Sequence, residues 1–414
     1  MAPPIVYDGL RLFIGPISRT PRGIDRVDLA YARYLFGSWP ADCVGLLPTP
    51  WGVRQYDRRL VLRALDRLEL LWRETAEARA NAAFDEVRRR LNGTMADGRT
   101  TSSAWGIVRR QASMFAANGV TLGRPIRATA HGSIYVNVGQ LGWAARWNAA
   151  WLRKRADMRA VYLLHDVIPL EHQGLVSRLG HLAHRRMVDV AAERAAGLIL
   201  TTEAATASVL NALRARAVAI PRMVTLPLPV APVFLTPRLS ENPLPGQPYF
   251  LVCGSIEPRK NLLMLARVWR ALVAGHGAAA PLLVIVGSPG HGGGPILEQL
   301  RREGPAVITV SGLSSPGLRQ LMDHAQALLM PSLAEGFGMP ITEALAVGTP
   351  VLASDLPAHR EVGGAWASYL NGDDEAGWLA GVEILLDRSE RVAGYVPMTG
   401  ERYFERVKSF LEGI

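Results

Sequence analysis

The chain has 414 residues, of which 49% are hydrophobic and 20% are charged, so it can form two domains that each bury a core. Two cysteines far apart, Cys43 and Cys253, exclude a disulfide framework and fit a reducing compartment. A formal net charge of +10 indicates an anionic partner: nucleic acid, an anionic membrane or a phosphorylated substrate. Solvated, arginine-rich helix faces would account for the same charge.

The N-terminal residues MAPPIVYDGL lack the basic and apolar segments of a signal peptide. No apolar stretch approaches the roughly 20 residues that a membrane-spanning helix needs. We therefore expect a soluble, cytoplasmic protein.

Strand and helix patterns alternate along the first half of the chain. Strands are predicted at 4–9, 42–48, 133–139, 160–170, 197–202 and 223–230, and helices from Ile24 to Leu35 and at 54–92, 179–196 and 203–216. A polar loop is predicted at 92–103. This alternation is typical of a parallel sheet covered by helices on both faces.

A proline-rich segment, residues 231–248, is the best linker, and the alternation begins again after it. Strands are predicted at 249–256, 281–288, 307–312, 327–332 and 350–355, and helices at 260–277, 295–304, 316–325 and 340–348. The predicted fold is α/β, with two doubly wound, Rossmann-like domains facing a central cleft. The predicted domains are 1–235 and 236–395, and residues 396–414 form a C-terminal helix that packs back on the first domain.

The stretch PSLAEGFGMPITEALAVGTPVLASD, residues 331–355, places Glu335 and Glu343 around a glycine-rich turn that ends in a helix. Pro340 suits the first position of that helix, and Glu343 then falls in its first turn. Free N–H groups and the positive dipole end make a helix N-terminus an anion site, while carboxylates accept sugar hydroxyls. The stretch therefore predicts a nucleotide-sugar site. Two ordinary glutamates, one complementing the helix dipole, are the alternative.

The longer stretch EGFGMPITEALAVGTPVLASDLPAHREVGG resembles the signature of retaining glycosyltransferases of family 4, which have the glycosyltransferase-B fold. Their two glutamates separated by seven residues match Glu335 and Glu343. The resemblance runs from about 249 to 390 and includes GSIEPRKNLLML at 254–265. RGIDRV at 22–27 and LLHDVIPL at 163–170 match more loosely.

The resemblance implies roles for the residues of the second domain. Arg259 and Lys260, predicted to open a helix, would bind the donor diphosphate and stabilise it as it leaves. Glu335 would contact hydroxyls of the donor sugar, and Glu343 would accept both ribose hydroxyls. The backbone of Phe337, Gly338 and Met339 would hold sugar and phosphate oxygens, and Gly312 and Leu313 would seat the base.

Two positions of the first domain are included by the same resemblance. Gly23 lies in a predicted loop where the backbone would approach the diphosphate. His165, at the end of an apolar strand, would touch the donor sugar or orient the acceptor, with Asp166 in support. A lone histidine is otherwise most often a satisfied core residue.

The implied activity is that of a metal-independent, retaining hexosyltransferase that uses a nucleotide diphosphate sugar, first GDP-mannose, and no cofactor. The implied acceptor is a saccharide, lipid-linked, in bacterial surface polysaccharide synthesis. Donors based on UDP or dTDP, and a non-catalytic nucleotide-sugar-binding partner, are the alternatives. Nucleic-acid binding is disfavoured because no recognition motif is present. Basic helical stretches at 54–92 and 178–186 suggest a peripheral position on an anionic membrane, at the inner face of the plasma membrane.

Overall fold

The computed structural model describes residues 2–14, 21, 23–49, 52–92, 124–126, 129–140, 142–143, 146–237, 244, 246–387 and 390–414. Its strands form two sheets, one of eight strands and one of six. Most of the predicted polar loop, residues 93–103, lies outside the described residues, as does part of the predicted linker, residues 238–243 and 245.

The first sheet is built from the first half of the chain. Its strands are β1 (Ile5–Asp8), β2 (Cys43–Thr49), β3 (Gly52–Tyr56), β4 (Arg124–Pro125), β5 (Ile134–Asn137), β6 (Arg159–Leu164), β7 (Ala195–Leu200) and β8 (Arg222–Thr225). They lie in the order β4-β3-β2-β1-β5-β6-β7-β8. Six of them are parallel, whereas β3 and β4 pair antiparallel, so the expectation of a wholly parallel sheet is corrected.

Strand β3 replaces the start of the long helix that the sequence predicted from residue 54. Gly52 has φ of +101°, a conformation open to glycine, and begins a strand that returns along β2 as a hairpin. The helix starts only at Arg58, where the Asp57 side chain accepts a hydrogen bond from the Leu60 N–H at 2.9 Å.

Seven helices are described in the first half. They are α1 (Leu10–Ile14), α2 (Gly23–Ser38), α3 (Arg58–Leu91), α4 (Arg146–Arg153), α5 (Ile168–Glu171), α6 (Arg178–Arg194) and α7 (Glu203–Arg214). The strand predicted at 160–170 ends earlier, at Leu164, because the short helix α5 follows and contains Pro169, which suits a first helical turn.

The second sheet is parallel throughout. Its strands are β9 (Tyr249–Cys253), β10 (Leu282–Val286), β11 (Val307–Val310), β12 (Leu328–Met330), β13 (Val351–Ser354) and β14 (Ser368–Leu370), in the order β11-β10-β9-β12-β13-β14. The order reverses between β9 and β12, which is where doubly wound sheets bind ligands. All five residues of β9 are buried, as expected for a strand covered on both faces.

The helices of the second half follow its strands, and one more follows the sheet. They are α8 (Leu262–His276), α9 (Gly293–Arg302), α10 (Ser315–His324), α11 (Met339–Ala346), α12 (Pro357–Gly363), α13 (Glu375–Leu386) and α14 (Gly400–Glu412). None of the helices in the described ranges is long and apolar enough to cross a membrane.

Helix α14 contacts α2, on the first half of the molecule. The hydroxyl groups of Tyr31 and Tyr403 are 2.7 Å apart, and the rings of Tyr34 and Phe404 stack with centroids 4.5 Å apart. Helix α14 therefore lies on the first half, and its aromatic contacts join the two halves.

Candidate active site

The loops after β9 and β12 meet where the strand order reverses, and they bring three charged residues together. Arg259 and Lys260 lie in a single turn of 3-10 helix, Pro258–Lys260, and Glu335 lies in the loop after β12. The two cations do not open a helix as predicted: Asn261 follows them in a left-handed conformation, with φ of +54°, and α8 begins only after it.

Glu335 pairs with both cations. Its Oε2 lies 2.9 Å from Nη1 of Arg259, and its Oε1 accepts hydrogen bonds from Lys260 Nζ and, at 2.9 Å, from Ser332 Oγ. Arg259 also donates from Nε to Glu257 at 3.0 Å. The predicted diphosphate ligands and the predicted donor-sugar ligand therefore form one cluster, in which the cations are held by carboxylates rather than solvated.

The charged groups of this cluster shift each other's pKa values. Burial acts to raise the pKa of Glu335, but Lys260 and Arg259 outweigh it and hold that pKa well below its usual range. The pKa of Arg259 is raised because Glu335 and Glu257 outweigh the opposing effect of burial. Such a fixed pair of cations at a switch point can receive the charge of a diphosphate.

The glycine-rich turn leads directly into α11. Gly338 has φ of +96° and precedes the helix, so Met339 is its first residue and Pro340 its second. Pro340 therefore stands one position later than predicted, and Glu343 lies beyond the first turn, because the helix begins one residue earlier. Glu343 is 3% exposed, and its carboxylate lies 2.9 Å from Nη1 of Arg26 on α2.

The turn approaches the first half so closely that glycine is required. A Cβ atom on Gly336 would lie 2.7 Å from Cβ of Asp166 and 2.8 Å from the carbonyl oxygen of His165. The Gly336 carbonyl accepts a hydrogen bond from Thr202 Oγ1 at 2.9 Å. A Cβ on Gly23 would lie 2.0 Å from Cε of Met339. Gly23 is the first residue of α2 rather than a loop residue, so α2 itself abuts the turn.

His165 follows β6 immediately, and its carbonyl oxygen lies beside this turn. Burial lowers its pKa to about 4, and the positive charge of Arg11 adds to the effect, so the ring is neutral at pH 7. Its Nε2 is withdrawn from solvent and has no hydrogen-bond partner among the described residues. Asp166 accepts from the Ile168 N–H at 3.0 Å and, through its carbonyl, from His184 Nε2 at 2.9 Å.

The residues predicted to seat the base lie farther along the same edge. Gly312 and Leu313 follow β11, two strands from β9, which is about 10 Å across the sheet. Gly312 has φ of +83° and Leu313 is buried. They border the same carboxyl edge as Arg259 and Glu335 without belonging to their ion-pair cluster.

Sequence reasoning missed four residues that contribute to this region. They are Ser332, which donates to Glu335; Arg26, which pairs with Glu343; Thr202, which holds the Gly336 carbonyl; and His359, fully buried beside Gly338. Arg26 and His359 both stood inside quoted motifs, RGIDRV and LPAHREVGG. Their neighbours in space lie far away in sequence, and this is why the motifs alone assigned them no contact.

No group of three or more His, Cys, Asp or Glu side chains within the described ranges is arranged to hold a metal ion.

The family match lies in the second half of the chain. Residues 247–388 match the family model described as Glycosyl transferases group 1. Over 157 residues the chain is 32% identical to the O-antigen chain mannosyltransferase RfbU of Salmonella typhimurium, a match that covers 36% of this chain and 42% of the relative. Over 142 residues it is 31% identical to O-antigen chain mannosyltransferase B of Escherichia coli, covering 33% of this chain and 36% of the relative. The chain spans less than half the length of both curated relatives.

A solved structure extends the likeness to the whole chain. The Anabaena protein HepE in complex with UDP and glucose has a TM-score of 0.63 and 12% identity, and the likeness covers 100% of each chain. The expected fold class, two Rossmann-like α/β domains of glycosyltransferase-B type, is confirmed. The resemblance to family 4 mannosyltransferases is also confirmed. The roles of single residues and the domain boundaries stay predictions.

Proposed function

We propose that this chain transfers a hexose from a nucleotide diphosphate sugar to a hydroxyl of a saccharide. Residues 247–388, which match the glycosyl transferases group 1 family, support this proposal. The observation that carries the proposal is the cluster of Arg259, Lys260 and Glu335 at the switch point of the second sheet. Two cations and a carboxylate at one edge suit a ligand that joins a diphosphate to a polyhydroxyl ring.

The leaving group sets the main electrostatic requirement of this transfer. As the bond between the anomeric carbon and the phosphate oxygen breaks, negative charge grows on the diphosphate. Arg259 and Lys260 would take up that charge, and this frees the Glu335 carboxylate to accept hydroxyls of the sugar. A metal ion is not required in this scheme, because two fixed cations supply the compensating charge.

Retention of the anomeric configuration follows in this proposal from attack on the face that the diphosphate leaves. The acceptor oxygen bonds to the anomeric carbon, and its proton passes to the departing phosphate oxygen. His165, neutral and with a free ring nitrogen, would accept a hydrogen bond from a hydroxyl of the donor sugar or the acceptor. Contact between the two halves would keep water from the donor.

The sugar is proposed to be mannose, carried by GDP, and the acceptor a lipid-linked saccharide of a bacterial surface polysaccharide. The support is the function of two relatives, both O-antigen chain mannosyltransferases. A UDP-sugar donor is the second candidate, and it is favoured by the likeness in fold to HepE, whose structure holds UDP and glucose. A position on an anionic membrane surface would bring the chain to a lipid-linked acceptor.

Thermal stabilisation by GDP, UDP, ADP and dTDP tests the donor site first. A nucleotide at about 100 times its Kd stabilises the folded state by about 2.7 kcal/mol. We expect one clear winner, GDP, and loss of the effect in Arg259→Ala and Glu343→Ala but not in Arg267→Ala, whose side chain pairs with Glu375 on the surface. No stabilisation by any of the four would contradict the proposal.

Hydrolysis of GDP-mannose in the absence of acceptor then separates an enzyme from a non-catalytic binder. Slow release of GDP that depends on Lys260 is expected of the enzyme. Binding of the sugar nucleotide without turnover, with or without added saccharide acceptors, would favour the binder.

A further inference from the structure

Arg26 of the first half makes a direct ion pair with Glu343 of the second half. The Nη1 and Oε1 atoms are 2.9 Å apart, and the side chains of Arg26 and Glu343 are 25% and 4% exposed. Burying the Glu343 carboxylate is costly unless a well-placed partner compensates its charge. Other contacts must therefore hold both side chains in place between the two halves.

The orientation of Arg26 is set by its neighbours on α2. Asp25, one residue earlier, accepts a hydrogen bond from Arg11 Nη1 at 2.9 Å, and Asp28, two residues later, accepts one from Tyr7. Both aspartates are buried against the first half. Because these contacts fix the rotation of α2 about its axis, Arg26 is directed away from the first sheet and towards α11.

Glu343 is equally fixed on its own side. It lies in α11, which follows the turn that carries Glu335, Gly336 and Gly338. Its carboxylate has little contact with water, so its orientation depends on the groups that face it. Arg26 faces it from α2, and the buried thiol of Cys253 is close enough, at the end of β9, for Glu343 to raise the pKa of that thiol further above the value that burial sets.

We propose that Arg26 is a positioning residue for the donor nucleotide, holding the Glu343 carboxylate in place for the ribose hydroxyls and coupling nucleotide binding to the contact between the two halves. This inference rests on the proposed function and on the role that the resemblance implies for Glu343, which is to accept both ribose hydroxyls. Arg26 touches neither sugar nor diphosphate in it, and acts through Glu343.

The coupling follows from the charges. An ionised carboxylate accepts hydrogen bonds on both oxygens, whereas a protonated one has less capacity to accept. Burial raises the pKa of Glu343 and Arg26 opposes that effect. Without Arg26, burial raises the pKa of Glu343 unopposed, so more of the carboxylate is protonated and its orientation is no longer fixed. The ribose then meets a weaker acceptor.

The test is a titration of the full chain and five variants with GDP, or with UDP, ADP or dTDP if GDP fails. Arg26→Ala is expected to bind the nucleotide about tenfold more weakly, as for the loss of one charge-assisted hydrogen bond. Arg26→Lys, which keeps the charge, should recover part of the loss. Arg33→Ala is the matched control, since Arg33 lies on the same helix but pairs with Glu69 within the first half.

A double-mutant cycle with Glu343→Gln identifies the route of the effect. If Arg26 acts through Glu343, removing Arg26 costs no further affinity once Glu343 is Gln. The affinity of Arg26→Ala for the nucleotide should also rise with pH, because Glu343 ionises at a higher pH without Arg26. The affinity of the wild type should change less over the same pH range. Substituting a residue that only supports the fold would produce neither this coupling to Glu343 nor this pH dependence of affinity.

Three outcomes overturn the inference. Binding by Arg26→Ala that equals or exceeds wild-type binding would mean that Arg26 is a bystander or a competitor of the ribose. A loss of affinity that adds fully to that of Glu343→Gln would mean that the two residues act separately. If the wild type binds none of the four nucleotides, both this inference and the proposed function fail. If it binds one of them and the Arg26 variants match it, only the inference fails.

Discussion

The carboxyl edges of the two sheets handle charge in different ways. On the second sheet, Arg259 and Lys260 form ion pairs with Glu335 at the switch point. On the first sheet, the corresponding edge holds Asp8, which accepts hydrogen bonds from Tyr135 at 2.6 Å and Asn137 at 3.0 Å. One edge offers cations to an anionic ligand and the other a hydrogen-bonded polar network. In the proposed function, the cations at the edge of the second sheet would bind the diphosphate.

The largest effect should come from breaking the charged edge. Arg259→Ala removes a cation that would stabilise the leaving diphosphate, and transfer is expected to fall about 100- to 1,000-fold. Lys260 still neutralises Glu335, so the fold should persist. The measurement is kcat/KM for the sugar nucleotide, with a thermal melt of the same sample. Arg267→Ala, which breaks a surface ion pair on α8, is the control, and an equal loss there would refute a local role.

Much of the charged edge was predictable from the sequence, and the physical reason is local. Five of the six strands described in the second sheet, β9 to β13, are short apolar runs followed by a turn, so their ends, and hence the neighbourhood of Glu335, follow from the pattern alone. Strand β14 was not predicted. The two starting points that were misplaced, at Arg259 and Pro340, depend on a left-handed Asn261 and on one extra residue in a helix. Such details of φ are set by packing rather than composition.

The contacts between the halves around the glycine-rich turn could not be predicted. The Arg26–Glu343 pair and the hydrogen bond from Thr202 to the Gly336 carbonyl join residues that are distant in sequence. Each exists only because two separately folded sheets meet at a particular angle. Strand β3 was missed for a different reason: it is five residues long, and its pairing depends on a hairpin that directly precedes a long helix.

Gly336→Ala tests whether the two halves must meet closely at the glycine-rich turn. The added methyl group would press on Asp166 and on the His165 carbonyl, so the two halves could not meet as closely. Transfer should fall about tenfold or more, since small displacements of reacting groups are costly, while nucleotide binding to the second half is largely kept. Gly294→Ala is the control, because nothing lies within 4 Å of its added Cβ. Equal activity of both variants would show that the close approach is not needed.

The buried polar groups of the first half should make its stability depend on pH. Burial raises the pKa of Asp28 from 3.8 to about 8, although the hydrogen bond from Tyr7 opposes it. The folded state therefore holds this proton more tightly than the unfolded state. Stability contributed by the protonated group is full below pH 4 and is lost as the pH rises towards 8.

Asp28→Asn removes this titration while keeping an oxygen that can accept from Tyr7. The variant should melt a few degrees above the wild type at pH 8.5 and show a smaller difference or none at pH 4.5. Melting curves at the two pH values measure this, with Asp66→Asn, a change at a 65% exposed side chain, as the control. A difference that is the same at both pH values would mean that Asp28 is not a buried acid of this kind.

The smallest expected effect concerns the outer surface of the first half, where α6 exposes apolar and basic side chains together. Leu179 is 80% exposed and Leu182 is 44% exposed, and Arg178 and Arg185 are exposed beside them. If this face rests on an anionic membrane, each arginine contributes about 1 kcal/mol, so Arg185→Ala should weaken binding to phosphatidylglycerol vesicles about fivefold at low salt. Sedimentation with vesicles measures this, and binding should fall as salt screens the charges. Arg301→Ala, on α9 of the second half, should bind as the wild type does. If the wild type does not bind vesicles at low ionic strength, membrane association is contradicted. The net positive charge would then be explained by the diphosphate site and by solvated helix faces.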